Sequence, residues 1–384
     1  MIRNFFIAWK GFRQFNALHE SDREIVFYAE DSDSWVHYEP IISSLTKFHC
    51  KKICYLTSSL DDSILIKNNP MIIPLFIGDG LWRTVLFNLL RADIMVMTMP
   101  DLETFHIKRS NFPVHYIYIF HTILSTHMVF RKGAYDNYDT IFCSGPHHNK
   151  EIRKTEDLYS LKRKNLVNHG YGRIDSIIKS ISADSKKNIP SNQTTILIAP
   201  SWGDTCILET CGIELIETLI PLEFNIIVRP HPMTRRHNPK KLNEITKKFS
   251  SYKNFKFEEN ISSKKSLIDS QIMISDWSGA ALEFSFCTGR PVLFIDVPRK
   301  INNPEYEKLG ITPFEVQIRF EIGEVLPLNR IEEIGALIKN MCSNPEKYSN
   351  RSQKALAKWV YNIGNSGNSG AHEILNILKN IKSS

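Results

Sequence analysis

At 384 residues, 42% of them hydrophobic, the chain can form two domains of ordinary size that each bury a core, and a disordered chain is excluded. Its formal charge of +7 is a mild excess that suits an anionic substrate or an anionic membrane surface. No recognition-helix pattern, zinc finger or aromatic RNA-binding signature accompanies that charge, so nucleic acid is not an expected partner.

Residues 1–15 set Ile2, Phe5, Phe6, Trp9 and Phe12 against Arg3, Lys10 and Arg13. This is the pattern of an amphipathic helix, which either packs on its own domain or lies on a membrane surface. The apolar run from Phe5 to Trp9 is too short for a signal-peptide core, and no segment reaches the length of a spanning helix. Seven cysteines without C-x-x-C spacing read as reduced thiols, which makes the cytoplasm the expected location.

Short apolar runs at 25–28, 52–56, 71–77, 94–97, 114–120 and 140–143 predict strands, with a helix over 81–91. Behind the first run, Asp31 and Asp33 form an Asp-x-Asp of the kind that can hold a divalent metal; here it better fits the cap of a following helix, and no metal is assigned. His121 and Thr122 follow the fifth run, which puts an imidazole at a strand's C-terminal end, where a general base would face a ligand. His127, His147, His148 and His169 are weaker candidates for that role, and His147 also suits a helix start after Gly145-Pro146.

A polar stretch at 182–193 has linker composition and divides an N-terminal domain, 1–181, from a C-terminal one, 194–384. The second half restarts with strands at 195–198, 224–228, 255–257, 272–274 and 292–295, separated by helices near 206–219, 242–249, 266–268 and 280–286. Helices near 331–341, 353–360 and 371–381 finish the chain, and the Gly364-to-Gly370 repeat reads as a flexible joint with Ser369 as an N-cap. The expected class is α/β: two Rossmann-like, doubly wound domains facing a cleft, with ligand at the strand C-termini.

Ser275, Asp276, Ser278 and Gly279 form a polar turn between a buried strand and a helix, and this geometry aims unpaired helix N–H groups at an anion. Glu283, a turn further on, is placed to reach ribose hydroxyls. In Arg229-Pro230-His231-Pro232 the prolines fix the backbone at another strand end, so a guanidinium and an imidazole leave it in a set direction. Arg229 can grip phosphate oxygens, His231 can donate to a leaving phosphate, and one of Arg235 and Arg236 is expected to join them. The usual marks of ATP hydrolysis, dinucleotide redox chemistry and zinc proteolysis are missing from the sequence.

These motifs, together with Gly170-Tyr171-Gly172-Arg173-Ile174-Asp175, Ile198-Ala199-Pro200-Ser201-Trp202 and Arg290-Pro291-Val292, make the chain resemble the CDP-glycerol glycerophosphotransferase family of teichoic-acid and capsule transferases. The resemblance implies a GT-B fold with the nucleotide held mainly by the C-terminal domain. It further implies His121 as general base, Arg229 and His231 as diphosphate ligands, the 275–279 turn as the phosphate cradle, and Arg173 as a secondary site residue. The implied reaction moves glycerol phosphate from a CDP-activated donor to a hydroxyl of a polymer or lipid-linked acceptor, requires no cofactor and works at the inner face of the bacterial membrane. The chain departs from the family pattern at Thr122-Ile123, where members have Gly, and at Gly172, where they have Pro. Two other functions fit the same features: a GT-B glycosyltransferase using CMP-Kdo or a UDP-sugar, and a non-catalytic nucleotide-binding partner of an envelope-polymer assembly.

Overall fold

The computed structural model describes residues 2–184, 193–258 and 265–383. By packing, the chain divides into unit 1, Met1–Ser176 with Val360–Ser384, and unit 2, Ile177–Trp359. Of the expected linker at 182–193, positions 182–184 belong to the last turn of the helix Gly172–Asp184 and positions 185–192 lie outside the described residues.

Unit 1 opens with α1 (Ile2–Ala17) and continues through β1 (Ile25–Ala29), α2 (Trp35–Lys47), β2 (Ile53–Thr57), β3 (Ile72–Phe76), α3 (Leu81–Asn88), β4 (Ile94–Met97), β5 (His115–Ile119), β6 (Thr140–Cys143), α4 (Pro146–Leu158) and β7 (Asn165–Asn168). Helix α5 (Gly172–Asp184) then leaves the unit. The sheet is wholly parallel, in the order β3-β2-β1-β4-β5-β6-β7. Its central strands are apolar without interruption because both faces are covered. The strand period of two divides β1 between two cores: Val26 and Tyr28 pack on one face, and Ile25, Phe27 and Ala29 on the other.

Unit 2 runs through β8 (Thr195–Ile198), α6 (Ile207–Thr210), α7 (Gly212–Leu219), β9 (Asn225–Val228), α8 (Pro232–His237), α9 (Pro239–Phe249), β10 (Phe255–Phe257), α10 (Lys265–Asp269), β11 (Ile272–Ser275), α11 (Gly279–Thr288), β12 (Val292–Asp296), α12 (Phe314–Ile322), β13 (Gly323–Pro327), α13 (Ile334–Cys342) and α14 (Pro345–Trp359). Its sheet is also parallel, in the order β10-β9-β8-β11-β12-β13. The expected class, doubly wound α/β in each half, is the class found.

The last helix, α15 (Ser366–Ser383), belongs to unit 1, not to the C-terminal domain to which its position in the chain assigned it. Ala371, Ile374, Ile377 and Leu378 complete the core formed by Tyr38, Ile41, Ile42 and Leu45 of α2. The 364–370 repeat is accordingly not a loose joint. The helix starts at Ser366, which leaves Ser369 inside it, and the Asp175 carboxylate accepts from the N–H groups of Gly364 at 2.7 Å and Ser366 at 3.0 Å. Glycine is required there by close approach: a Cβ on Gly367 would stand 2.5 Å from the Pro40 carbonyl oxygen.

Candidate functional site

In unit 2 the strand order reverses between β8 and β11, and at such a switch point the chain leaves the two strands toward opposite faces of the sheet and opens a crevice beyond their C-terminal ends. The turn after β11 is stitched to the loop after β8. Ser275 Oγ donates to the Ala199 carbonyl at 2.7 Å, while the Asp276 carboxylate accepts from Ser201 N–H at 2.7 Å and Ile207 N–H at 3.0 Å. Both side chains are fully buried. Burial raises the Asp276 pKa, and the backbone donors pull against that rise. Ser275 and Asp276, read from sequence as direct ligands, are therefore spent on holding the turn, because a buried polar turn must satisfy its own hydrogen bonds first.

What the stitching leaves in place is the start of α11. Ser278 caps it, accepting from Ala280 N–H at 3.3 Å, and Gly279 is the first helical residue. Aligned peptide dipoles and the first-turn N–H groups make this end favourable to an anion. Glu283 is one turn inside the helix and buried.

Beside β8, β9 ends in Arg229, whose N–H continues the ladder to the Ile198 carbonyl at 2.9 Å. The guanidinium is nearly buried and donates to Ser266 Oγ at 3.3 Å. His231 caps α8: its Nδ1 accepts from Met233 N–H at 3.1 Å. A backbone N–H can only donate, so Nδ1 carries the lone pair and the proton of the neutral ring sits on Nε2. His231 thus presents an N–H to its surroundings. Arg235 is exposed on α8.

Trp202, which the sequence offers only as part of a motif, and two cations it does not single out, Lys300 and Arg319, complete the setting. Trp202, in the loop after β8, stacks on His237 with centroids 5.3 Å apart and lies 6.2 Å from the His231 ring. Lys300, in the loop after β12, holds its Nζ 3.5 Å from the Trp202 ring centroid. Its half-buried position pushes its pKa down to about 8. Arg319, on α12, stacks on Trp277 at 3.6 Å and pairs with Asp296 at 2.9 Å. The rule that ligands gather beyond strand C-termini points to Lys300, whereas nothing local in the sequence marks Arg319.

Unit 1 has its own switch point, between β1 and β4. His121, just past β5, is exposed, and its Nδ1 lies 3.0 Å from the carbonyl oxygen of Thr98, just past β4. A carbonyl only accepts, so Nδ1 bears the proton and Nε2 keeps a lone pair. The protein surrounding the ring lowers its pKa below 6.5, against the opposing pull of the Thr98 bond and the Asp31 charge. Asp31 Oδ1 caps the following turn, accepting from Asp33 and Ser34 N–H groups at 3.1 Å. Arg173 opens α5, and its charge is felt by His37, whose ring centroid is 6.4 Å from that of His121.

His127 and His147, the reserve bases of the sequence reading, are buried anchors. His127 Nδ1 lies 3.3 Å from a Glu151 carboxylate oxygen, and His147 Nε2 lies 2.8 Å from the Ile123 carbonyl, with its pKa held well below 6.5 by burial. With His148 bonded to the Leu124 carbonyl at 2.9 Å, they fix the loop that follows His121. Among the described residues, no group of three or more His, Cys, Asp or Glu is placed to hold a metal ion.

Residues 85–310 match the family described as CDP-glycerol:poly(glycerophosphate) glycerophosphotransferase. Among solved structures, a variant of the wall teichoic acid polymerase TagF is similar with a TM-score of 0.61 at 13% identity, over 100% of this chain and 96% of that one. The UDP-GlcNAc 2-epimerase of Methanocaldococcus jannaschii, in complex with UDP-GlcNAc and UDP, gives 0.60 at 15%, over 92% and 99%. A putative UDP-N-acetylglucosamine 2-epimerase from Listeria monocytogenes gives 0.61 at 13%, over 94% and 97%. At these identities the likeness shows the fold alone. No curated protein matches the sequence.

The stitching has a measurable consequence. Asp276→Asn keeps the size of the side chain but replaces one acceptor with a donor, leaving Ser201 or Ile207 N–H buried without a partner, a loss of about 1–3 kcal/mol. Hydrogen exchange at those two amides is expected to quicken in the variant while β13 is unchanged. Equal exchange in both proteins would contradict the role given to Asp276.

Proposed function

Since the chain belongs to the CDP-glycerol:poly(glycerophosphate) glycerophosphotransferase family, we propose that unit 2 binds a CDP-activated alditol, CDP-glycerol first among them, through the start of α11, Arg229 and His231. In the reaction so read, an acceptor hydroxyl attacks the phosphorus that carries glycerol. The bond from that phosphorus to the bridging oxygen breaks, and CMP leaves with the bridging oxygen. Arg229, the Nε2–H of His231 and the helix N-terminus meet the charge developing on CMP, an electrostatic contribution of the kind that dominates phosphoryl transfer. Ser275 and Asp276 act through the shape of the turn, and Glu283 is assigned to the ribose. No cofactor enters this reading.

The observation that carries it is the tautomer of His231: accepting from Met233 N–H at Nδ1 puts the ring proton on Nε2, the form that can donate to a leaving phosphate. A ligand that prefers the folded state raises the unfolding midpoint. CDP-glycerol or CDP-ribitol is expected to do so, and Arg229→Ala to remove most of the rise. Stabilisation by CMP-Kdo or UDP-sugars alone would favour a glycosyltransferase, and binding without CMP release a non-catalytic partner.

His121 is assigned the acceptor proton, since its lone pair is on Nε2. Only the neutral ring can take that proton, so kcat/KM should rise with pH and reach half its plateau below pH 6.5, the direction in which the pKa is moved. His121→Ala is expected to lower kcat by ~10² to 10⁴ while keeping the CDP-glycerol shift. Near-normal turnover in that variant would remove His121 from the chemistry.

The acceptor is read as lipid-linked or polymeric, and α1 as a surface contact with an anionic membrane. No helix among the described residues is long and apolar enough to cross one. Helix α1 packs on its own unit: Ala8 and Phe15 are buried, and Gly11 fits against the Phe76 carbonyl. Its outer side nevertheless leaves Phe5, Phe6 and Trp9 exposed, with Arg13 over the Trp9 ring at 5.2 Å. Because the helix is part of the fold, the test is substitution and not deletion. Phe6→Ser with Trp9→Ser should abolish a salt-sensitive co-sedimentation with anionic liposomes, and unchanged sedimentation would end the membrane assignment.

A further inference from the structure

We infer that Arg319 and Lys300 form a second cationic wall of the unit 2 site and take a phosphate of the bound nucleotide. The inference rests on the reading of unit 2 as the nucleotide-binding unit. Both residues lie outside the Arg229–His231 turn and the α11 start, and Arg319 also lies outside the residues 85–310 that match the family.

Helix α12 buries Glu315, Ile318, Arg319 and Ile322, a stripe at helical spacing, so Arg319 is on its inner face. The residue is buried, with 4% of its surface exposed. One flat face of its guanidinium covers the Trp277 ring at 3.6 Å, and that ring is fixed by its Nε1–H donating to the Val297 carbonyl at 3.0 Å. Trp277 stands between Asp276 and Ser278, so the cation lies against the turn that begins α11. Nη2 donates to Asp296, but Nε and Nη1 are buried with no acceptor among the described residues. A buried charged donor left without an acceptor is costly, so an anion that met Nε and Nη1 would be held firmly.

Lys300 brings a second cation to the same turn from the loop after β12. Its Nζ lies over Trp202, and the Asp276 charge acts on it as on Arg319. That carboxylate already accepts two backbone N–H groups, and Asp296, the ion-pair partner of Arg319, is half exposed. A planar guanidinium and an ammonium beside a helix N-terminus suit a phosphate group.

Calorimetric titration of the full-length protein with CDP, CMP and cytidine tests this. Arg319→Gln and Lys300→Gln are each expected to weaken CDP at least tenfold while cytidine binds as before. Asp296→Asn, which removes the ion-pair partner of Arg319, is expected to bind CDP as tightly as wild type or more tightly. Equal weakening by Arg319→Gln and Asp296→Asn would make Arg319 a mere prop for Asp296 and overturn the inference, as would wild-type CDP affinity in both glutamine variants. Should Arg319→Gln not fold, Arg319→Lys and Lys300→Gln decide by the same criteria. If wild type binds no CDP at all, the nucleotide reading of unit 2 falls with it.

Discussion

The Asp276 carboxylate, accepting one N–H from the loop after β8 and another from the start of α6, is the constraint on which the unit 2 site depends. It spans the place where the strand order turns from β8-β9-β10 toward β11-β12-β13, so it joins loops that leave the sheet in different directions. With Ser275 bonded to Ala199, it sets where Ser278 caps α11 and hence where that helix aims its N–H groups. It also explains why Trp202 and Trp277, one in each stitched loop, are held well enough for Lys300 and Arg319 to lie on their faces.

Two histidines acquire opposite proton arrangements from one backbone contact each. The Met233 N–H makes His231 Nδ1 an acceptor and leaves Nε2 a donor, while the Thr98 carbonyl makes His121 Nδ1 a donor and leaves Nε2 an acceptor. In the proposed reaction a donor suits the leaving phosphate and an acceptor suits the hydroxyl proton, and main-chain geometry gives each ring the form its proposed role needs. Burial then keeps His147 and His148 as loop anchors with pKa values below the ordinary range, the latter about 4.

The doubly wound class was legible because buried parallel strands read as short apolar runs, and β4, β6, β8 and β10 begin and end at the residues expected. Two of the four edge strands escaped notice: Asn165–Asn168 and Gly323–Pro327 pair on one side only and carry too few apolar residues to stand out. The helix read as continuous over 206–219 is broken at Cys211, and its first piece starts where Asp276 takes the Ile207 N–H, a tertiary bond that no local pattern announces. The 364–370 repeat misled for the same reason, because Gly367 and Gly370 answer to the nearness of Pro40 and Ile41 and not to a need for freedom. Within the site, residue types and strand-end positions were readable, whereas which polar atoms face inward was not. Ser275 and Asp276 look like ligands in sequence and are struts in space.

The account stands on the claim that a nucleotide diphosphate lies at the start of α11 in unit 2. A crystal structure with bound CDP tests that claim most directly. The account predicts phosphate oxygens within hydrogen-bond reach of the Gly279 region, the Arg229 guanidinium and His231 Nε2, with Asp276 still bonded to Ser201 and Ile207. Phosphates bound away from α11, or an Asp276 that leaves its backbone partners to meet the ligand, would contradict it.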